Sequence, residues 1–250
     1  MSSFSLPKET TSRIHKVETL LESEWLSCER VHYVDHRGNE RTWERCIRTS
    51  PSTRKRLQEG KTKAITKETI GSQLSCPSAP SAAIIVPLSF SSRYRNEMNV
   101  LTADHLQVVL VKQFRPALNA YTLEFPAGLL DENESPLQTA IRELKEETGY
   151  THHSILHVSP SLSLSPGMGS ECCVVVVVTV DMDLPANQCP QQNLDEEEDI
   201  EVILVPLNNL LKVLQRSNEN GIVIFDGVYS VALGFALLPQ CISSLNKMAD

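Results

Sequence analysis

Three glutamates, Glu143, Glu146 and Glu147, fall within five positions of the segment GLLDENESPLQTAIRELKEETGY, residues 128–150. Side chains three and four residues apart on a helix are neighbours, so these like charges repel unless a cation compensates them. Carboxylate oxygens are the ligands that Mg²⁺ takes, and the ion usually keeps waters and substrate phosphates in its other positions. The spacing therefore predicts a site for small hard cations together with a pyrophosphate. A solvated acidic face is the alternative for such a helix taken by itself.

The residues around the three glutamates predict the helix that must position them. Ser135 is a capping residue, Pro136 suits the first turn, and Gln138 completes a capping box. Gly149 is a natural C-terminal stop, so the helix is expected over 136–148. Its apolar stripe consists of four residues on one face, Leu137, Ala140, Ile141 and Leu144.

The rest of the chain divides into three zones. Residues 14–50 contain two alternating runs around DHRGN, a sequence that suits a hairpin turn, and predict a small antiparallel β-subdomain. Residues 51–82 are rich in Ser, Thr, Pro and Lys and predict a connector or insertion. Residues 83–246 carry short β-branched runs such as AAIIVPL and CCVVVVVTV between helical patterns. This order predicts an α/β domain with a mixed sheet between helices, and Pro239 is expected to kink or end the last helix.

Composition favours a soluble intracellular protein. The net charge of −8 argues weakly against nucleic-acid binding. Seven cysteines with irregular spacing fit reduced thiols better than a disulfide framework. The N-terminus lacks the apolar region of a signal peptide, and the longest apolar runs are too short to cross a bilayer. We therefore expect no membrane partner and a cytoplasmic location, with nuclear entry left open.

The 128–150 segment resembles the Nudix box, G-x5-E-x7-R-E-U-x-E-E-x-G-U, in which U is aliphatic. The matching positions are Gly128, Glu134, Arg142, Glu143, Leu144, Glu146, Glu147, Gly149 and, as an aromatic departure, Tyr150. Flanking pieces, VKQFRP at 111–116, EFPAGLLD at 124–131 and Pro-Gly at 166–167, resemble the ADP-ribose/ADP-sugar pyrophosphatase branch of the family. The likeness covers about residues 14–240. It implies a Nudix α/β/α sandwich with a mixed sheet, preceded by the small antiparallel β-subdomain.

The resemblance implies roles for the residues of the box. Glu143 and Glu147 would be the main ligands of Mg²⁺ or, alternatively, Mn²⁺. Glu146 and the carbonyl of Ala127 would be further ligands. Arg142 would orient the glutamates through a salt bridge, and Glu134 would assist it or the metals.

Residues outside the box are assigned from the same resemblance. Glu198, in the acidic run LDEEEDIEV, is expected to be the general base, with a solvated acidic loop as the alternative. The substrate-binding residues are expected to be Trp25, Trp43, Glu44, Arg48, Arg115, Leu129 and Ser165. Relatives stack adenine between two tryptophans, one from each subunit of a homodimer. Relatives often have Asp where this chain has Ser165, which bears on recognition of the distal sugar.

These expectations combine into one reaction, the Mg²⁺-dependent hydrolysis of ADP-ribose or another ADP-sugar to AMP and a sugar phosphate. One alternative is a Nudix hydrolase for another nucleoside diphosphate derivative, such as an oxidised nucleotide or a different sugar. The other is a non-catalytic nucleotide-binding module. The complete set of box carboxylates argues against the second alternative.

Overall fold

The structure is a computed structural model that describes residues 12–49, 80–91, 93 and 105–248, with side chains described as far as residue 237. The chain forms two compact units. The first unit comprises Met1–Ala79 and Ser163–Cys172, and the second comprises Pro80–Leu162 and Cys173–Asp250. Most of the predicted connector, residues 51–79, lies outside the described residues. Residues 163–172 fall within the range 83–246 predicted for the α/β domain, but they belong to the first unit.

The described strands and helices follow the predicted runs closely. The strands are β1 (Arg13–Glu22), β2 (Leu26–Val34), β3 (Glu40–Arg48), β4 (Ala82–Phe90), β5 (Gln107–Arg115), β6 (Ala120–Glu124), β7 (Ala127–Leu129), β8 (Ser154–Val158), β9 (Leu162–Ser163), β10 (Cys172–Asp181), β11 (Ile200–Pro206) and β12 (Val223–Ile224). The helices are α1 (Pro136–Thr148), α2 (Pro185–Gln188), α3 (Leu210–Glu219) and α4 (Asp226–Met248), with short 3-10 turns at Pro116–Leu118 and Leu207–Asn209.

The first unit is built on a three-stranded antiparallel sheet in the order β1-β2-β3. Its β2–β3 hairpin turns at Asp35, whose carboxylate accepts hydrogen bonds from the backbone N–H groups of Arg37 (2.8 Å) and Asn39 (2.9 Å). Gly38 has a φ of +82°, a conformation that favours glycine. The predicted hairpin and the predicted antiparallel subdomain are both confirmed.

The second unit contains a nine-stranded mixed sheet whose central order is β12-β6-β5-β4-β10-β8. Strand β10 runs parallel to β4, and β12 runs parallel to β6. Alternate residues of β4 enter two different cores. Ala83 and Ile85 pack in the cluster that contains Leu144 of α1. Ile84 and Val86 pack in the cluster that contains residues of α3 and α4. Helices therefore cover both faces, and the predicted α/β/α sandwich is confirmed.

Helix α1 has the predicted ends. The Ser135 Oγ accepts a hydrogen bond from the Gln138 N–H (3.3 Å), and the Gln138 Oε1 accepts one from the Ser135 N–H (2.9 Å). At the other end Gly149 adopts a φ of +74° and donates its N–H to the Lys145 carbonyl. A Cβ at Gly149 would lie 2.5 Å from the backbone nitrogen of Gln191, so only glycine fits there.

Helix α4 continues past Pro239 to Met248, so of the two predicted effects of that proline, a kink or an end, the end is wrong. Proline removes one helical hydrogen bond, whereas the neighbouring turns keep theirs. No helix in the described part of the chain is both long and apolar enough to span a membrane.

Candidate active site

Arg142, on α1, is the centre of the carboxylate network. Its Nε and Nη2 donate to the two carboxylate oxygens of Glu134 at 3.0 and 2.9 Å. This two-point bond lowers the pKa of Glu134 to about 2, with help from the Thr139 hydroxyl and the Asp131 N–H. Glu134 is therefore a fixed anion that holds the guanidinium in one orientation.

The remaining N–H groups of Arg142 reach toward the helix glutamates. Nη1 donates to Glu143 (2.7 Å) and to Glu146 (2.8 Å), and Nη2 also donates to the Leu129 carbonyl (3.1 Å). The surrounding carboxylates, Glu134 first, raise the pKa of Arg142. The Arg142 guanidinium thus links Glu134, Glu143 and Glu146 into a single network, which is the geometry that the predicted orienting role requires.

Glu147 is the most deeply buried of the three helix glutamates, with 3% of its surface exposed. Its Oε2 accepts a hydrogen bond from the Ala127 N–H at 3.0 Å. Burial raises the pKa of Glu147 to about 8, and the negative charges of Glu143 and Glu198 act in the same direction. Without a cation, this carboxyl group is largely protonated at neutral pH.

The raised pKa of Glu147 predicts a pH-dependent stability. The folded protein binds this proton more tightly than the unfolded chain, whose carboxyl has the ordinary value near 4.5. The free energy of unfolding therefore falls as pH rises from about 5 to about 8. In EDTA we expect the Tm to fall by about 5–10 °C over this range. Differential scanning calorimetry should find a clearly smaller fall in Tm for Glu147→Gln over the same pH range. Equal slopes of Tm against pH in the two proteins would contradict the raised pKa of Glu147.

Gly128 makes room for Glu143. A Cβ at Gly128 would lie 1.8 Å from the Glu143 Oε1, a distance that no pair of non-bonded atoms adopts. Burial raises the pKa of Glu143, although Arg142 opposes the shift. The glycine of the box is therefore explained by the close approach of a carboxylate to the backbone.

The site fits a divalent cation in the chemistry of its donors. Glu143 and Glu147 are buried carboxylates whose pKa values are raised first by burial and further by neighbouring glutamate charges, and a bound cation would favour their ionised form. Because Gly128 has no Cβ, the Glu143 carboxylate can lie directly against the backbone there. In the present side-chain positions, no group of three His, Cys, Asp or Glu residues in the described ranges is close enough together to hold a metal ion. Arg142 donates to one carboxylate oxygen of Glu143 and one of Glu146, and the second oxygen of each accepts no hydrogen bond from this guanidinium.

The loop that carries Glu198 is hydrogen-bonded to the C-terminal end of α1. The Gln192 Nε2 donates to the carbonyls of Glu147 (2.6 Å) and Ile200 (3.0 Å), and the Asn193 N–H donates to the Glu146 carbonyl (2.9 Å). Glu198 is exposed, and its charge raises the pKa values of both Glu143 and Glu147. The structure thus brings Glu198 into electrostatic range of the glutamates. No spacing in the sequence indicated the tether through Gln192.

Arg115 lies in the same electrostatic neighbourhood. Its pKa is raised first by its hydrogen bonds to Glu124 and further by the charges of Glu147 and Glu198. Its Nε and Nη2 donate to the two oxygens of Glu124, both at 2.8 Å. Arg115 was expected from the sequence and Glu124 was not, because the contact between them depends on the pairing of β5 with β6.

Both tryptophans of the first unit are more than half exposed, Trp25 by 59% and Trp43 by 52%. Side chains that served only to pack the small sheet would be largely buried. The Trp43 Nε1 donates to the Gly167 carbonyl at 3.1 Å, which fixes the ring. A recess of about 300 Å³ lies beside Trp43, and its lining includes Arg13, Tyr33 and Arg45.

The other predicted substrate-binding residues of the first unit already form hydrogen bonds or ion pairs within that unit. Glu44 accepts a hydrogen bond from Arg30 at 2.7 Å, and Arg48 pairs with Glu171. The Ser165 carbonyl accepts hydrogen bonds from two N–H groups of the turn that follows it. Glu44 and Arg48 would have to share or exchange these partners to contact a ligand.

Comparison with known proteins identifies the family of this chain. Residues 95–224 match the NUDIX domain family, so the chain belongs to the Nudix family of hydrolases. It is 34% identical to the ADP-sugar pyrophosphatase of Mus musculus over 86% of this chain and 84% of that protein. It is 30% identical to the ADP-ribose pyrophosphatase of Saccharomyces cerevisiae over 90% of this chain and 82% of that protein. A solved ADP compounds hydrolase shares the fold, with a TM-score of 0.57, 22% identity, and coverage of 97% of this chain and 98% of that one.

Proposed function

We propose that this protein hydrolyses the diphosphate of ADP-ribose or another ADP-sugar, giving AMP and a sugar phosphate, which is ribose 5-phosphate when the substrate is ADP-ribose. The observation that carries the proposal is the carboxylate network of Glu134, Glu143 and Glu146 around Arg142, together with the buried Glu147, whose carboxylate accepts a hydrogen bond from the Ala127 N–H. Relatives named for the hydrolysis of ADP-ribose and ADP-sugars, which match most of this chain, support the substrate class.

Nudix hydrolases generally need a divalent metal ion, and we propose Mg²⁺, with Mn²⁺ as the substitute. Glu143 and Glu147 would be its main ligands, with Glu146 and the Ala127 carbonyl as further ones. A bound divalent cation makes water a stronger nucleophile and neutralises charge on the phosphoryl oxygens. Arg142 would hold the glutamates until the ion binds, and Glu134 keeps Arg142 in place.

The remaining steps belong to side chains of the second unit. Arg115 would bind a phosphate oxygen of the diphosphate through its unused N–H groups. Water adds to one phosphorus, the bridging P–O bond breaks, and Glu198 would accept the proton of the water. The exposure of Glu198 and its effect on the pKa of Glu147 support this choice of base.

Recognition of the adenine end is assigned to the first unit. Trp25 and Trp43 would stack on adenine, one from each subunit of a homodimer, and Glu44 would contact the edge of the base. Arg48 would bind the diphosphate. The backbone at Leu129 and the Ser165 turn would contact other parts of the substrate.

We propose a cytoplasmic location, with nuclear entry open.

Trp43→Ala is expected to raise the KM for ADP-ribose by roughly tenfold, since stacking on a base contributes about 1–3 kcal/mol. Steady-state kinetics should find kcat changed much less than KM. Trp43→Phe is the matched control, because it keeps an aromatic face while it loses the hydrogen bond to Gly167. Equal KM values for wild type and Trp43→Ala would exclude stacking on this ring.

A substrate comparison tests the proposal against the alternatives. We expect kcat/KM to be highest for ADP-ribose or ADP-glucose and far lower for GDP-mannose and 8-oxo-dGTP. A preference for GDP-mannose or 8-oxo-dGTP would assign the protein to another Nudix substrate class. Tight binding of ADP-ribose without turnover of any of the four compounds would favour the non-catalytic binding module.

A further inference from the structure

We propose that Glu124 is a positioning residue, which fixes the guanidinium of Arg115 in the orientation that binds the phosphate groups of the substrate. This inference rests on the proposed function and adds to it a residue outside the Nudix box.

The pairing of β5 with β6 creates the contact. Arg115 lies opposite Ala120, and Gln113 lies opposite Thr122. Residues on one strand that are two apart share a face, so Arg115, Thr122 and Glu124 are on the same face of the pair. The Arg115 side chain therefore runs back along the sheet toward Glu124, where Nε and Nη2 meet the two carboxylate oxygens.

The carboxylate of Glu124 is itself held in place. Thr122 donates its hydroxyl to the Glu124 Oε1, which leaves the carboxylate bound from two sides. The side chain of Glu124 is 15% exposed, whereas that of Arg115 is 43% exposed. Burial raises the pKa of Glu124, but the hydrogen bonds from Arg115 and Thr122 outweigh it and leave the pKa below its ordinary value. Glu124 is thus a fixed anion beneath a guanidinium that faces outward.

The two-point bond leaves Arg115 with donors for a ligand. A guanidinium has five N–H groups in one plane, and Glu124 takes two of them. No other hydrogen-bond partner of Arg115 is present among the described residues. The three remaining N–H groups point in directions set by the plane that Glu124 fixes, which suits bidentate recognition of a phosphate.

Loss of Glu124 would free the guanidinium of Arg115 from the plane that the two-point bond sets. Its remaining N–H groups would then no longer be held in one direction, and phosphate binding would weaken although the sheet stays intact. An ion pair that only stabilised the sheet would have no such consequence for substrate binding.

The test is a double-mutant cycle in ADP-ribose hydrolysis, with Glu124→Ala, Arg115→Ala and the double variant. We expect Glu124→Ala to raise KM by about tenfold with a smaller change in kcat, and the double variant to have the same KM as Arg115→Ala alone. Glu124→Gln keeps the shape and one acceptor and should give an intermediate KM. Calorimetric titration with ADP-ribose in EDTA should reproduce the same order in Kd without turnover.

Glu201→Ala is the matched control. Glu201 forms an ion pair of 2.8 Å with Lys112, which lies on β5 like Arg115, and this ion pair has the same length as that of Arg115 with Glu124. It should leave KM unchanged, and thermal unfolding should report intact folding of every variant. Multiplicative effects of the Glu124 and Arg115 substitutions on KM, or an unchanged Kd in Glu124→Ala, would overturn the inference. If the wild-type protein does not hydrolyse ADP-ribose, the proposed function fails, and the Kd values in EDTA still decide the role of Glu124.

Discussion

Glu147→Gln is expected to reduce turnover of ADP-ribose by roughly 10³-fold or more while leaving the fold intact. The substitution keeps the size of the side chain and its acceptor for the Ala127 N–H, but it removes the charge that would hold the cation. Stabilisation of phosphoryl charge by a metal ion is a matter of several kcal/mol, and each 1.4 kcal/mol corresponds to about a tenfold change in rate. The measurement is kcat at saturating Mg²⁺ and ADP-ribose.

The control for Glu147→Gln is Glu132→Gln, which changes an exposed glutamate of the same segment. Glu132 lies outside the network around Arg142, so its replacement should leave kcat within about twofold. The Tm of metal-free Glu147→Gln should equal or exceed that of wild type at pH 8, because a buried charge has been removed. Full activity of Glu147→Gln would contradict its assignment as a metal ligand.

Gly128→Ala is expected to lower kcat/KM by at least about 100-fold with only a small change in Tm. The new Cβ would fall 1.8 Å from the Glu143 Oε1, so the carboxylate must leave its place. The clashing group is the end of a flexible side chain, which can move without unfolding the sheet. A displacement of about 1 Å at a catalytic group can cost roughly 100-fold in rate.

Gly234→Ala is the matched control for Gly128→Ala. Gly234 lies in α4, where a Cβ would meet nothing within 4 Å, and alanine favours the helix. This variant should keep full activity and an equal or higher Tm. If Gly128→Ala behaves in the same way, the close contact with Glu143 does not govern the site.

The parts of this protein that could be predicted from sequence are governed by local rules. The ends of α1 depend on Ser135, Gln138 and Gly149, which act within one turn of the helix. The β2–β3 hairpin depends on Asp35 and Gly38 within five positions. These signals are readable because the side chain and the backbone groups that it satisfies are neighbours in the sequence.

The parts that were missed depend on contacts distant in sequence. Gln192 meets the end of α1 across 45 residues, and no pattern near either partner indicates the bond. Residues 163–172 join the first unit through contacts such as that of Trp43 with Gly167, 124 residues away. Glu124 was visible in the sequence as part of a strand, but its bond to Arg115 required the strand register.

The carboxylates of α1 show which properties of the site can be predicted from residue spacing alone. Their spacing predicted that Glu143, Glu146 and Glu147 are neighbours on α1, and the Arg142 guanidinium contacts two of them, Glu143 and Glu146. Both contacts of Arg142 lie within one turn of the same helix, as the resemblance implied. Spacing could not show that burial would raise the pKa of Glu147 to about 8, because that burial depends on the tertiary packing of the helix in the sandwich.

Product analysis after incubation of the purified protein with ADP-ribose tests the central claim most directly. One reaction contains Mg²⁺ and the other EDTA, and chromatography separates AMP, ribose 5-phosphate and unreacted substrate. The account predicts equal amounts of AMP and ribose 5-phosphate with Mg²⁺ and neither product with EDTA. Equal product formation in EDTA, or cleavage elsewhere in ADP-ribose to products other than AMP and ribose 5-phosphate, would contradict it.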